Sequence, residues 1–353
     1  MSSSTNFSEA VANSSKIKSA SNEEKLKLYS LYKQGTIGRN RTQQPGMFDL
    51  VGTAKWDAWN SLRDMSMDDA QKNYVTLVNG LLGVKIDDGE KIYSQSSGPV
   101  LVSGVNRIRI ITWNRPEKKN AMNEEMYVTL TKLLRDFNND ETVDIVVITG
   151  SGDYFCSGND LGNFMSVDMN DKENEVKKWI GIIEDHIASY IDFKKILIGI
   201  VNGPAVGLGV TSLPFFDAVF ATERATFNTP FTALGQTPEA CSSFFLPRIM
   251  GYAKATQMLL FGTKITAREA EQCGLITEIF PDDVLKSNAW DRIHKMAELP
   301  INALLHAKEL LRGRDRDLLH HVNKTEMVRM KERVNSEDCM DAVLKFFARK
   351  TKK

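Results

Sequence analysis

The 353-residue chain has little sulfur chemistry to offer: its four cysteines, Cys156, Cys241, Cys273 and Cys339, are far apart and form no CxxC pair. That argues against a zinc ribbon, a redox motif or a disulfide framework and reads as reduced thiols in an intracellular compartment. The five histidines include no HExxH spacing, and the adjacent His320 and His321 point to different faces of a charged helix, so no metal is expected. Neither sign of charge is in excess, with 45 Lys plus Arg against 45 Asp plus Glu. No global field therefore favours nucleic acid or an anionic membrane, and any anion binding must be local. No apolar run reaches membrane length either; ILIGIVNGPAVGLGV is broken by Asn202, Pro204 and four glycines. The first twenty residues are rich in Ser and poor in acid, but they lack Arg and an apolar h-region, so no targeting peptide is assigned and residues 1–20 read as a disordered leader.

What remains is the composition of a soluble globular protein too long for one ordinary core, so two domains are expected. From residue 21 to 82 the periodicity is helical without strand alternation, in EEKLKLYSLYKQ, AKWDAWNSL and MDDAQKNYVTLVNGLL, predicting a small helical bundle. Residues 83–98, GVKIDDGEKIYSQSSG, have little to bury and read as a linker. Residues 99–353 begin with a predicted hairpin in PVLVSGVNRIRIITWNRP and a helix in NEEMYVTLTKLLRDFNND. DIVVITG and KKILIGIVNG then read as strands buried on both faces, and FDAVFATERATFNT as a third pair. Strands alternating with helices imply an α/β domain with crossover connections, followed from Lys264 by an almost wholly helical stretch.

Three stretches could carry chemistry. SGDYFCSGNDL (151–161) follows a strand, and its glycines allow a tight turn and an exposed N–H after Gly158. NGPAVGLGVTSL (202–213) leads from a strand into a helix, so N–H groups near Leu208 and Gly209 could face an anion. Its GxxxGxG order is not the GxGxxG of dinucleotide folds. The third, GQTPEACSS (235–243), holds Glu239, the only charge between Arg224 and Arg248. One reading makes Thr237 an N-cap, Pro238 the first helical residue and Glu239 a first-turn acid. The other makes Glu239 a general base whose pKa is raised by burial.

In the helical region Tyr29, Tyr32 and Lys33 share one helix face, and Lys55 and Tyr74 supply the same residue types on later helices. Rings that stack on a purine beside ammonium groups that pair with phosphate suit a nucleotide-bearing ligand. The stretches LYSLYKQGTIG, QQPGMFDLVGTAKWDAWNSL and DDAQKNYVTLV resemble the acyl-CoA-binding protein family over nearly its full length. That resemblance implies a four-helix bundle in which Tyr29, Lys33, Lys55 and Tyr74 contact the adenine and 3′-phosphate of CoA, with Tyr32 in the same pocket. Thr53 departs from the family, where many members have Lys.

The second domain resembles the crotonase (enoyl-CoA hydratase/isomerase) superfamily through NRPEKKNAMN, FCSGNDL, VNGPAVGLGVT, FDAVFATERATFNTPFTALGQTPE, GTKITAREAEQCGLITEIF and SEDCMDAVLKFFARK. The resemblance implies a ClpP/crotonase-like α/β fold with a C-terminal helical oligomerisation region, assembling as a trimer or dimer of trimers. It also implies an oxyanion hole from the N–H groups of Asn159 and Leu208, and substrate contacts from Ser157, Gly158, Asn159, Asp160 and Leu161, with Lys118, Lys119, Asn120 and Ala121 nearer the nucleotide. The two glutamates of hydratases are replaced by Thr211 and Phe231. Glu239 falls where Δ3,Δ2-enoyl-CoA isomerases of the peroxisomal type carry their single glutamate, and Phe231, Phe244 and Phe245 are candidates to keep it dry or to pack the core. The implied activity moves 3-enoyl-CoA, cis or trans, to trans-2-enoyl-CoA in β-oxidation, with CoA as part of the substrate and no cofactor; a non-catalytic acyl-CoA carrier or another crotonase reaction is the alternative. Such enzymes work in peroxisomes or mitochondria, although the terminal Thr351, Lys352 and Lys353 are not an SKL-type signal.

Overall fold

The computed structural model describes residues 7, 10, 11, 14, 21–46, 49–82, 93–95, 97–162 and 171–350. They form two compact units, Met1–Lys91 and Ile92–Lys353.

The first unit holds helices α1 (Asn22–Ile37), α2 (Leu50–Asn60) and α3 (Met67–Leu82). Ser21 and Glu24 close a capping box at the start of α1, and Asp49 caps α2 by accepting from Gly52 N. Leu31, Ala70, Tyr74 and Val78 build the core, and buried Gln34 is tied down by accepting from Trp59 Nε1 at 3.1 Å and donating to Met65 O at 2.6 Å. One expectation is overturned here. Phe7, Ala10, Val11 and Ser14, placed in a disordered leader, are helical, and Phe7 and Ala10 are buried in the same core. Their spacing is that of one helix face, which the surrounding serines concealed. The rest of residues 1–20 lies outside the described residues.

The second unit opens with β1 (Tyr93–Gln95), β2 (Val100–Val105) and β3 (Ile108–Trp113). These strands pair antiparallel in sequence, with Asn106 taking a positive φ in the β2–β3 turn. The linker assigned to 83–98 is thus corrected: Tyr93–Gln95 is an edge strand, while 83–92 and 96 lie outside the described residues. Helix α4 (Glu124–Asn139), capped by Asn123, leads to β4 (Ile145–Gly150), and α5 (Lys172–Ile191) leads to β5 (Ile196–Val201). Short elements follow: β6 (Ala205–Val206), α6 (Leu208–Thr211), β7 (Ala218–Thr222) and β8 (Thr226–Asn228).

Strands β3, β4, β5 and β7 run parallel. Alternate residues serve opposite faces: Ile145, Val147, Ile198 and Ile200 enter one core, while Val146, Ile148, Leu197 and Val201 enter the other with α4 and α5. The predicted third pair does not hold. β7 completes the parallel set, whereas β8 joins a separate three-stranded sheet in the order β6-β8-β9.

Beyond residue 240 come α7 (Ser242–Leu259), β9 (Ile265–Thr266), α8 (Ala267–Gln272), β10 (Glu278–Phe280), α9 (Leu285–Ala297), α10 (Ile301–Arg312), α11 (Arg316–Val334) and α12 (Glu337–Lys350). The C-terminal stretch is mainly helical, but β10 adds a further parallel strand beside β7. Three residues are too few for periodicity to show. Among the described residues no helix is long and apolar enough to cross a membrane.

Candidate active site

Loops leaving the C-terminal ends of β4 and β5 converge, the usual site of ligand binding in parallel α/β sheets. Phe155 and Cys156 N–H groups donate to Pro204 O, and Val206 N donates to Cys156 O at 2.8 Å. Gly158 and Gly207 also meet there: a Cβ added to Gly207 would lie 3.6 Å from the Gly158 Cα, and one added to Gly158 only 3.1 Å from Val206 O. Gly207 has φ 55° and ψ −120°, a backbone open essentially to glycine alone. It presents Leu208 as the first residue of α6, so the Leu208 N–H has no acceptor within that helix. Opposite, Met122 bridges the segment by donating to Gly158 O and accepting from Asp160 N, both at 2.9 Å, a pattern that does not use the Asn159 N–H.

GQTPEACSS joins these two loops through a side chain. Asn159 Nδ2 donates to Glu239 Oε2 at 3.5 Å, while Tyr127 on α4 donates its hydroxyl to Asn159 Oδ1. The tyrosine fixes which way the amide faces, so the Asn159 NH2 group addresses the carboxylate. Glu239 is 1% exposed, and its Oε1 has no hydrogen-bond partner among the described residues. Burial raises its pKa to about 7; the Asn159 hydrogen bond opposes that shift and the charge of Glu326 adds to it.

The helix-start reading of this stretch fails. Residues 236–239 are irregular, Ala240 and Cys241 are left-handed with φ 57° and 55°, and α7 begins at Ser242. Glu239 therefore sits before the helix and gains no place in its first turn.

The other predicted residues divide between site and scaffold. Ser157 N donates to Lys119 O at 2.9 Å, lacing 118–121 onto the loop. Asn120 is a buried clamp, donating to Ser151 O and Tyr154 O and accepting from Arg115 N. Ala121 is also buried, whereas Lys118 and Lys119 are exposed, Lys119 lying over the Tyr154 ring at 4.8 Å. Asp160 is held by Arg115 at 2.9 Å, and Leu161 is half-buried beside it. Thr211 is fully buried, with its hydroxyl turned to Gly207 O at 3.3 Å, and Phe231 is buried too. Phe231 and Phe244 belong to the main core cluster together with Leu208, Ala240 and Cys241, and the half-buried Phe245 packs against it. Tyr127 escaped sequence reasoning because it reads as ordinary helix core, and Glu326 because, among Lys324, Arg329, Lys331 and Glu332, it reads as one more solvated helix charge.

In the helical unit, Lys55 Nζ lies 5.3 Å from the Tyr29 ring and Lys33 Nζ 4.9 Å from the Trp59 ring. Phe7, absent from the sequence prediction, joins Tyr32 and Tyr74 in one aromatic group with centroids 5.3–6.3 Å apart. Tyr74 is buried there, and Tyr32 is exposed. A cavity of about 680 Å³ elsewhere in the second unit is lined by Tyr190, Phe215, Phe245, Lys308 and Arg312, among others. Its cations Lys308 and Arg312 are paired with Asp217, and its Glu309 with Arg316.

Residues 104–353 match the enoyl-CoA hydratase/isomerase family and residues 4–78 the acyl CoA binding protein family. The chain is 45% identical over 340 residues to human enoyl-CoA delta isomerase 2, covering 95% of this chain and 86% of that one. It is 42% identical over 316 residues to peroxisomal enoyl-CoA delta isomerase 3 of Mus musculus, covering 88% and 98%. An enoyl-CoA hydratase/isomerase structure from Pseudoalteromonas atlantica superposes with a TM-score of 0.65 at 34% identity, over 71% of this chain and 98% of that one. With converging loops, a buried carboxylate and these relatives in agreement, the chain belongs to the enoyl-CoA hydratase/isomerase family.

Proposed function

We propose that this protein converts 3-enoyl-CoA to trans-2-enoyl-CoA, with Glu239 as the single proton shuttle. The observation that carries the reading is a fully buried carboxylate with one oxygen tied to Asn159 and the other unpartnered among the described residues. In the reaction the Glu239 carboxylate removes a proton from C2. The electrons delocalise into a dienolate whose charge rests on the thioester oxygen, and the resulting carboxylic acid returns a proton to C4. Oε1 is assigned the transfer because Oε2 is held by the amide. The Asn159 and Leu208 N–H groups stabilise the enolate oxygen, each such donor being worth about 3 kcal/mol. Water addition, by contrast, needs an acid and base pair, and Thr211 and Phe231 supply neither. One proton moves within one substrate, so the reaction calls for no metal or redox cofactor.

A base with a pKa of about 7 gives a defined pH dependence. It must be ionised to act, so kcat/KM for 3-hexenoyl-CoA, followed in a coupled assay, holds above pH 8 and falls about tenfold per unit well below pH 7. A limb near pH 4.5 would show a solvated carboxylate and contradict the reading.

The helical unit is proposed to capture acyl-CoA through Tyr29, Tyr32, Lys33, Lys55 and Tyr74. Replacing Lys33 and Lys55 together by Ala removes two cations that face phosphate, and acyl-CoA affinity measured by calorimetry falls about tenfold or more. Isomerase turnover at saturating substrate stays near wild type. Equal loss of both would contradict separate roles for the two units. The double-bond shift suits β-oxidation of unsaturated acyl chains; a peroxisome or mitochondrion is the proposed compartment, and the peroxisomal mouse relative supports the first.

A further inference from the structure

The turn that carries Glu239 is unusual for its sequence. Ser242 N donates to Glu239 O at 3.1 Å, so residues 239–242 form a four-residue turn whose central Ala240 and Cys241 both have positive φ. Turns of that shape ordinarily take Asn and Gly at those positions, because a Cβ crowds the following carbonyl. Something outside the turn must hold it. Glu326, in the middle of α11 and only 6% exposed, meets it from 85 residues away: Oε2 accepts from Cys241 N at 2.7 Å, and Oε1 accepts from Ser243 N at 3.0 Å and Ser243 Oγ at 2.5 Å. The same helix takes the Cys241 thiol, whose Sγ donates to Leu319 O at 3.4 Å.

We propose that Glu326 is a positioning residue, a buried carboxylate that clasps the Ala240–Cys241 turn from α11 and thereby aims the Glu239 side chain at the substrate. A carboxylate suits this better than an amide. All three groups facing it are donors, and an ionised carboxylate accepts at both oxygens, whereas Gln would turn its NH2 onto one of them. The clasp also acts on the base directly, since a second buried negative charge disfavours ionisation of Glu239. The other groups that face Glu239 do not titrate near neutrality: burial pushes Cys156 up to about 12 and Tyr127 well above the usual tyrosine range. Glu326 is itself raised on balance, burial outweighing the opposite pull of its Ser243 and Cys241 donors. The C-terminal helical region thus contributes to the active site within one chain.

This inference rests on the isomerase reading, and Glu326→Gln tests it alongside Glu239→Gln in the full-length protein. The expected result is a kcat for 3-hexenoyl-CoA lowered about ten- to a hundredfold, the range for a misplaced reacting group, with KM little changed. The acid limb of kcat/KM moves to lower pH because a like charge has gone, a shift that a purely structural support would not produce. Wild-type kcat and an unmoved limb in Glu326→Gln, with Glu239→Gln inactive, would overturn the clasp and leave the isomerase reading standing. Full activity in Glu239→Gln would overturn the reading itself. Should Glu326→Gln fail to fold, Ser243→Ala removes one of the three donors and is expected to lower kcat about fivefold, the worth of one hydrogen bond. An unchanged kcat there would equally refute the proposal.

Discussion

Replacing Glu239 by Gln is expected to lower kcat for 3-hexenoyl-CoA by about 10²–10⁴-fold, the usual contribution of a positioned general base, with KM nearly unchanged. Gln keeps the volume and can still accept from Asn159, so the loss reports the missing base. The stability of the same variant separates chemistry from unfolding. Glu239 in the folded protein titrates near pH 7, above its unfolded value, so its stabilising contribution is present at low pH and is lost as pH rises from about 4.5 through about 7. Between pH 5 and pH 8 wild type therefore loses about 2–3 kcal/mol that Glu239→Gln does not. Thermal unfolding should show the variant gaining on wild type across that interval. A variant that is inactive and gains no relative stability at pH 8 would argue against a buried ionisable base.

The second large effect concerns backbone geometry. Gly207→Ala places a Cβ on a residue with φ 55° and ψ −120°, a strain of about 1–3 kcal/mol that the loop relieves by rotating. The Leu208 N–H would then turn away from its present direction. Loss of one oxyanion donor typically lowers kcat by about 10²–10³-fold, and that loss is expected with circular dichroism unchanged. A Cβ on Gly207 would meet its nearest neighbour, the Gly158 Cα, at 3.6 Å, an ordinary van der Waals contact, so a crowding defect is not the cause. Wild-type turnover in Gly207→Ala would remove Leu208 from the mechanism.

How much of this was legible beforehand follows from what each signal measures. Strands buried on both faces, such as Ile145–Gly150 and Ile196–Val201, announce themselves through unbroken β-branched runs bounded by glycine. The three loops of the site were readable because glycine spacing and an isolated acid are local features. Three-residue β10 and β1 were not, since pairing with a distant strand makes them and composition does not. Phe7 was lost among serines although its spacing with Ala10, Val11 and Ser14 is helical. The conformation at Glu239 was misread because Thr237-Pro238-Glu239 has every local mark of a helix start. Contact with Glu326, 85 residues further along at Cys241, accompanies the left-handed turn that delays the helix to Ser242. Long-range polar contacts of that kind, like Tyr127 on Asn159, leave no trace in residue order.

The claim that one dry carboxylate makes both proton transfers is tested most directly by following the proton itself. Substrate deuterated at C2 is turned over in ordinary water, and deuterium at C4 of the trans-2-enoyl-CoA product is measured by mass spectrometry. With Glu239 1% exposed, the acid formed at C2 should return its deuterium to C4 faster than it exchanges with solvent, so a substantial fraction of product carries the label. Product unlabelled at C4, with the deuterium lost entirely to water, would mean that a second group or solvent protonates C4, and the single-glutamate shuttle would be wrong.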